Sequence, residues 1–482
     1  MDMDLLAAKV SELAGFVWNG LLLYLLVGTG IIFTIRTRFI QVRKFGAGFR
    51  RLFGSVNLNG EKAGKEGMSS FQAVATSIAA QVGTGNITGC ATAMISGGPG
   101  AIFWMWLAAF FGMATIYGEA VLAQTFKTKD ETGHVIGGPV YYIRQAFKGT
   151  FGKILAGFFA LAIIFALGFT GNMVQSNAIS NAFQEALGIP TWIVGVVLAV
   201  VAAFIFLGGV TRIAAVTEKL VPVMACFYLV GGLVMLIANI TNLPHAFALI
   251  FEGAFNPQAI LGGAVGIGVR EAMRYGVARG VFTNEAGMGS SAIAHAASNV
   301  QEPAEQGMWG IFEVFIATLS VCSITALVIL TSGVYQENAA LLAIQSGTVT
   351  SAMVGAPLSA AAFSTVFGRF GVVFVAVCLL LFAFTSLLGS SYYGERGLQY
   401  LTGTDRWRWP YRAAFLLAVV AGSVGDVAVV WQLADIFNGL MALPNLCALL
   451  LLSPEALGLL NGWMTVRTDG AAHRGRSRRA GR

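Results

Sequence analysis

The chain has 482 residues, 56% hydrophobic and 11% charged, with 30 Lys and Arg against 23 Asp and Glu and a net charge of +7. Soluble globular proteins carry about 25% charge, so this composition excludes that class, and no hydrophilic stretch is long enough to fold as a fused enzyme domain. The basic residues sit beside apolar runs of the length that crosses a bilayer, about 20 residues each, which points to membrane topology rather than to nucleic acid.

Apolar windows bounded by Gly, Pro, Asn or charge predict about eleven transmembrane helices, near 14–35, 69–96, 101–126, 154–187, 191–209, 213–240, 259–298, 308–331, 370–395, 411–432 and 433–462. The first follows Asp2, Asp4, Lys9 and Glu12 and is too long and too acidic at its start for a cleavable signal, so it is expected as a retained span. Basic residues in short loops stay cytoplasmic. With the amino terminus outside, 25 of the 30 fall inside: eight from Arg36 to Lys65, five from Lys127 to Lys153, Arg212 and Lys219, four from Arg396 to Arg412, and six after Trp463. Arg270, Arg274 and Arg279 lie within one span and Arg369 opens another, which leaves Lys9 outside and the carboxyl terminus cytoplasmic. The tail from Thr465 to Arg482 has no apolar face and is expected to be disordered beside anionic lipid. Cys90, Cys226, Cys322, Cys378 and Cys447 show no CxxC spacing and read as small packing residues.

The second span contains Gln81, Val82, Gly83, Thr84, Gly85, Asn86 at what should be mid-membrane. Gly costs about 1 kcal/mol against Ala inside a helix, and two glycines around a threonine predict an unwound turn. Five spans later, the run from Arg279 to Ser291 interrupts the seventh span in the same manner. Irregular backbone at that depth must be buried in protein or face a water-filled cavity. Paired breaks in two five-helix halves are the pointer to an inverted-repeat transporter with a midplane site. Exposed N–H groups at a half-helix start suit a carboxylate and freed carbonyls suit Na⁺, so a zwitterionic amino acid fits both.

The fourth span adds a polar stretch, Thr170, Asn172, Gln175, Ser176 and Asn177, with Asn172 and Gln175 on one helix face. These side chains serve either as acceptors for an ammonium or as interhelical hydrogen bonds. In the ninth span Thr385 and Ser386 place two hydroxyls in an apolar helix. Glu119, Glu285, Glu313, Asp426 and Asp435 are intramembrane carboxylates, for which Arg270, Arg274 and Arg279 offer partners, of Glu285 or Glu119 in particular; structural pairing is favoured over a proton relay. No HExxH cluster or nucleophile–base motif is present, which argues against an intramembrane enzyme, and a channel has no need of two paired breaks.

Several of these segments resemble the alanine or glycine:cation symporters of prokaryotes. Gly83 to Ile87 followed by Gly97 to Trp106 is similar to that family's signature, as are Gly137, Gly138, Pro139 with Tyr141 and Tyr142, the run Gly280 to Ser291 with His295, and Tyr392 to Glu395. The resemblance implies an all-α polytopic protein with a LeuT-type 5+5 inverted repeat after an extra first helix. The segments would then be 1–66 (first helix and basic loop), 67–250 (first repeat), 251–462 (second repeat) and 463–482 (basic tail). It implies a substrate carboxylate held near Gly83, Thr84 and Gly85, with contacts from Asn172, Gln175 and the unwound Phe282, Thr283, Asn284, Gly287 and Gly289. It places one Na⁺ among Ala79, Val82, Thr385 and Ser386, with Asn86 and Thr283 toward a second ion.

One departure concerns the pocket: Gly389 is followed by Ser390, where the family carries tryptophan. If Ser390 lines the pocket, the cavity is larger, and glutamine joins alanine and glycine as an expected substrate. The expected function is import of such a small neutral amino acid by Na⁺ symport through alternating access in the bacterial inner (plasma) membrane. Na⁺ is the co-transported ion, with no organic cofactor, no nucleic acid and no obligate protein partner. The alternative is proton coupling through Glu119 or Glu285.

Overall fold

The computed structural model describes residues 12, 15, 16, 18, 21–46, 68–131, 133–256, 268–300, 302–336, 355–425 and 427–479, with side chains in the last helix described over 430–460. Lys9, Arg50, Arg51, Lys62, Lys65, Asp426 and the start of the expected seventh span at 259–267 lie outside the described residues.

In chain order the helices are α1 (Leu21–Arg36), α2 (Ser70–Gln81), α3 (Cys90–Gly97), α4 (Ala101–Thr125), α5 (Pro139–Ala146), α6 (Gly149–Ile163), α7 (Asn172–Leu187), α8 (Thr191–Phe206), α9 (Gly209–Ala238) and α10 (Leu243–Phe255). Then come α11 (Val269–Asn284), α12 (Ser290–Ala296), α13 (Pro303–Val314), α14 (Ser323–Thr331), α15 (Ala356–Phe367), α16 (Arg369–Thr402), α17 (Arg408–Val424) and α18 (Val427–Arg479). A two-strand antiparallel hairpin, β1 (Thr128–Lys129) and β2 (Val135–Ile136), leads into α5. Among the described residues, six continuous helical stretches are long and apolar enough to cross a membrane: Ala101–Thr125, Gly149–Leu187, Gly209–Ala238, Pro303–Thr331, Arg369–Thr402 and Val430–Leu460. Large apolar side chains such as Val200 and Phe204 on α8 and Val230 and Ile237 on α9 point outward, as expected of a lipid-facing surface.

Among the described residues, wide, π-type turns occur at Gly85–Gly89, Ile164–Gly171 and Phe315–Cys322. Such turns insert one residue into the helical ladder and are frequent at functional sites. The second joins α6 to α7 and the third joins α13 to α14.

Helix α4 is the central post, packing against α1, α11 and α13, while α16 and α17 pack on α7. Glycines bring backbones together at the start of α4. A Cβ on Gly100 would stand 2.0 Å from the Gly253 carbonyl carbon of α10, and one on Gly276 of α11 would stand 2.2 Å from the Ala101 carbonyl oxygen. The glycine-rich segment 97–101 is therefore a packing seam.

Helices α10 and α15 fall where the sequence predicts connections between spans, because 13 and 12 residues are too few to register as membrane crossings. The helical backbone of α18 extends from Val427 to Arg479, past the apolar run. All five cysteines are free, with Cys226 exposed rather than packed.

Candidate functional site

The two interrupted spans are broken in different ways. Helix α2 opens on a capping box, with the Gln72 N–H donating to Ser69 Oγ at 3.1 Å and the Ser69 N–H donating to Gln72 Oε1 at 3.2 Å. It ends at Val82 (φ −83°, ψ 87°), which leaves helical geometry. In an unbroken helix the N–H groups of Gly83 and Thr84 would return to the carbonyls of Ala79 and Ala80. Here the Gly83 N–H donates to Asn86 Oδ1 and the Thr84 N–H to Gln175 Oε1, each at 3.0 Å. Ser386 Oγ donates to the Ala80 carbonyl at 2.7 Å, and the Ala79 carbonyl is left without its helical donor.

No residue of this first break has a positive φ; its glycines serve close approach. A Cβ on Gly83 would meet Ser386 Cβ at 2.9 Å, and one on Gly85 would meet Thr283 Oγ1 at 2.7 Å. The second break is conformational. Glu285, Gly287 and Gly289 have φ of 55°, 90° and 84°, and three left-handed residues in five stop α11 before α12 begins.

The breaks face one another across a narrow cavity. The first contributes Ala80, Gln81, Gly83 and Gly85, the second Phe282, Glu285 and Met288. Leu167, Gly171 and Gln175 come from the fourth span, Ser386 and Ser390 from α16, and Asn438 from α18. Of the substrate-contacting residues expected from the sequence, Gly83, Gly85, Gln175, Phe282 and Ser390 line this wall.

Six others lie outside it, and their bonds account for the placement. Thr84 sits behind Gln175. Asn172 Nδ2 donates to the Phe415 carbonyl at 3.1 Å. Thr283 Oγ1 donates to the Arg279 carbonyl at 2.8 Å, and Asn284 Nδ2 to Thr318 Oγ1 at 3.1 Å. The Gly287 carbonyl accepts from Asn445 Nδ2 at 2.9 Å. A Cβ on Gly289 would strike Pro139 Cγ at 2.6 Å. Within the polar stretch of the fourth span, Thr170 and Ser176 bond back to helix carbonyls and Asn177 donates to Gly422 and Gly425, so Gln175 alone reaches the cavity.

Among the expected Na⁺ contacts, Ala79, Val82 and Ser386 meet at the first break. Thr385 Oγ1 donates to the Leu381 and Phe382 carbonyls of its own helix, both at 2.9 Å. Both ends of the Asn86 amide are engaged, Oδ1 by Gly83 and Nδ2 by the Ala317 carbonyl at 2.6 Å.

The intramembrane charges pair differently from the sequence expectation. Arg279 makes a bidentate contact with Asp435 at 3.0 and 2.7 Å, and its guanidinium lies 5.0 Å over the Trp431 ring, beside Phe282. Glu119 accepts instead from Asn445 Nδ2 at 2.6 Å, and Glu285 Oε2 accepts from Ser290 Oγ at 2.6 Å. Arg270 is exposed, and Arg274 stacks on Tyr275. Glu313, fully buried, holds the first break against the second. Its Oε1 lies 3.0 Å from Gln81 Nε2 and 2.9 Å from His295 Nε2, and Gln306 Nε2 lies 2.8 Å from His295 Nδ1. Sequence reading missed Asn438, an isolated polar residue in an apolar run, and the cavity role of the turn Ile164–Gly171, which no composition signal marks.

Two discontinuous helices meeting at a small polar cavity inside an all-helical membrane protein define a multi-pass carrier of LeuT-type fold. A likeness in fold alone extends to a point mutant of the Eremococcus coleocola manganese transporter, at 14% identity, a TM-score of 0.50, and coverage of 82% of this chain and 80% of that one. The family is closer to hand: the model of the sodium:alanine symporter family matches residues 3–476, and the chain belongs to that family. It is 40% identical over 463 residues to the sodium/alanine symporter AgcS of Methanococcus maripaludis, covering 96% of this chain and 98% of that protein. It is also 40% identical to the probable sodium/glutamine symporter GlnT of Bacillus subtilis, covering 94% and 90%.

Proposed function

We propose that this protein imports a small neutral amino acid together with Na⁺ by alternating exposure of the cavity between the two breaks. The observation that carries this is the cavity wall itself, where both broken helices, Gln175, Ser386 and Ser390 converge. The substrate carboxylate docks on the amides of the first break, displacing Gln175 Oε1 from Thr84. Glu285, whose carboxylate borders the cavity, accepts from the ammonium, and Phe282 closes one side. Na⁺ sits where α2 gives up its ladder, among the Ala79 and Val82 carbonyls and the hydroxyls of Ser386 and Thr385. Family relatives named for sodium/alanine and sodium/glutamine symport support the pairing of ion and cargo.

One charge crossing about 100 mV supplies about 2.3 kcal/mol, roughly a fiftyfold concentration ratio, before any Na⁺ gradient is added. The amino terminus lies outside and the carboxyl terminus in the cytoplasm of a bacterial inner membrane, supported by the distribution of Lys and Arg. The two repeats span 67–250 and 251–462. The test is uptake of radiolabelled alanine, glycine and glutamine into proteoliposomes with a Na⁺ gradient, a K⁺ gradient, or a pH gradient alone. Equal uptake in Na⁺ and K⁺ removes sodium coupling, and uptake driven by the pH gradient alone moves coupling to protons.

A further inference from the structure

Helix α18 presents Trp431, Asp435 and Asn438 on one face, at the spacing i, i+4, i+7. The first two are engaged by the second broken span: Trp431 lies 5.1 Å from the Phe282 ring, and Asp435 holds Arg279. Asn438 is the next residue along that face. It is 1% exposed and lines the cavity, yet neither Nδ2 nor Oδ1 has a hydrogen-bond partner among the described residues.

A buried carboxamide with both ends unmet is unfavourable relative to water, and Leu167 and Met288, which line the same cavity, carry no hydrogen-bonding group to meet it. The nearby amides are bonded at one end at least: Asn86 by Gly83 and Ala317, Asn284 by Thr318 and Ala286, Gln175 by Thr84, Gln81 through Nε2 to Glu313 and Asn172 through Nδ2 to Phe415. Among the described cavity-lining amides, Asn438 is the one with both its donor and its acceptor unmet.

Its position in the fold says which end of the cargo it meets. Helix α18 packs on the wide turn Ile164–Gly171 and α6, which α16 also touches, and α16 alone of the two packs extensively on α2 of the first break. With the main-chain groups of an amino acid held at the first break and Glu285, the lining left for its side chain includes Leu167, Gly171 and Asn438. From this we infer that Asn438 is a specificity residue that hydrogen-bonds the side chain of the transported amino acid. It selects neutral substrates carrying a carboxamide or a hydroxyl over apolar ones of equal size. The inference rests on the proposed carboxylate position at the first break.

The test uses the full-length wild-type protein and the variants Asn438→Ala and Asn438→Leu. In wild type, serine is compared with 2-aminobutyrate, which replaces its hydroxyl by a methyl, as competitors of bound radiolabelled alanine. Glutamine is compared with alanine in sodium-driven uptake. Serine is expected to compete about tenfold better than 2-aminobutyrate, the worth of one hydrogen bond to a buried polar group. The glutamine-to-alanine uptake ratio is expected to fall about tenfold in both variants. Equal competition by serine and 2-aminobutyrate in wild type overturns the inference without any variant having to fold. So does a parallel loss of alanine and glutamine uptake in the variants. A serine preference in binding with no sodium-driven flux would strike the symport reading and leave Asn438 in its role.

Discussion

Gly85 brings the first break against the second, and Gly85→Ala tests whether that approach is used. The added Cβ would lie 2.7 Å from Thr283 Oγ1, 3.2 Å from Phe282 Cδ1 and 3.3 Å from Thr283 Cα. The hydroxyl cannot swing away freely, because it donates to the Arg279 carbonyl at 2.8 Å, and the Cα belongs to backbone. Overpacking of this kind costs about 1–3 kcal/mol, so the state in which the breaks touch loses a factor of roughly 5–150 in population. Sodium-driven alanine uptake in proteoliposomes should fall by a comparable factor. Adding Thr283→Ala, which removes the 2.7 Å contact, should recover part of the loss. Gly28→Ala is the control, since nothing lies within 4 Å of the added carbon, and should leave uptake unchanged. Wild-type uptake in Gly85→Ala, or no recovery in the double variant, would refute the view that transport needs the two breaks in contact.

Ser386→Ala should raise the Na⁺ concentration for half-maximal uptake about 3–10-fold, and more than Thr385→Ala, because only Ser386 reaches across to α2 while Thr385 bonds its own helix. Equal effects in a Na⁺ titration would reject that ranking. Glu313→Leu leaves the Gln81 and His295 nitrogens unpaired, at about 1–3 kcal/mol each, whereas Glu313→Gln keeps an acceptor oxygen. Thermal unfolding in detergent should show a large loss for Leu and a small one for Gln, and matching midpoints would contradict the bridging role. Ser390→Trp fills part of the cavity, so competition assays should show glutamine weakened more than alanine or glycine. An unaltered ranking would mean the residue does not face the cargo.

Both breaks are legible in the sequence because each concentrates glycine and polar side chains in the middle of an apolar run. What the glycines do there is only half legible. At 287 and 289 they supply positive φ, which composition suggests, but at 83 and 85 they admit Ser386 and Thr283, neighbours that only the fold brings near. Charge partners were misjudged for the same reason: Asp435 is 156 residues from Arg279 and nothing local selects it over Glu285 or Glu119. The polar stretch of the fourth span looked uniform, yet the wide turn at Ile164–Gly171 precedes it, and of its residues Gln175 alone borders the cavity while Asn172 and Asn177 turn to α17. Helices α10 and α15 escaped notice because a hydropathy window answers to length, and both are short.

If the substrate carboxylate docks on the Thr84 amide as proposed, the Gln175 oxygen that this amide holds is the protein's own stand-in for it. A carboxylate arriving there swaps one acceptor for another, and its gain is the margin of a charge-assisted hydrogen bond over a neutral one, about a factor of two in strength. Grip at this point is thereby kept shallow, which favours unloading at the far side. The vacated amide is never stranded on the return journey, so resetting the empty machine incurs no orphan-donor penalty.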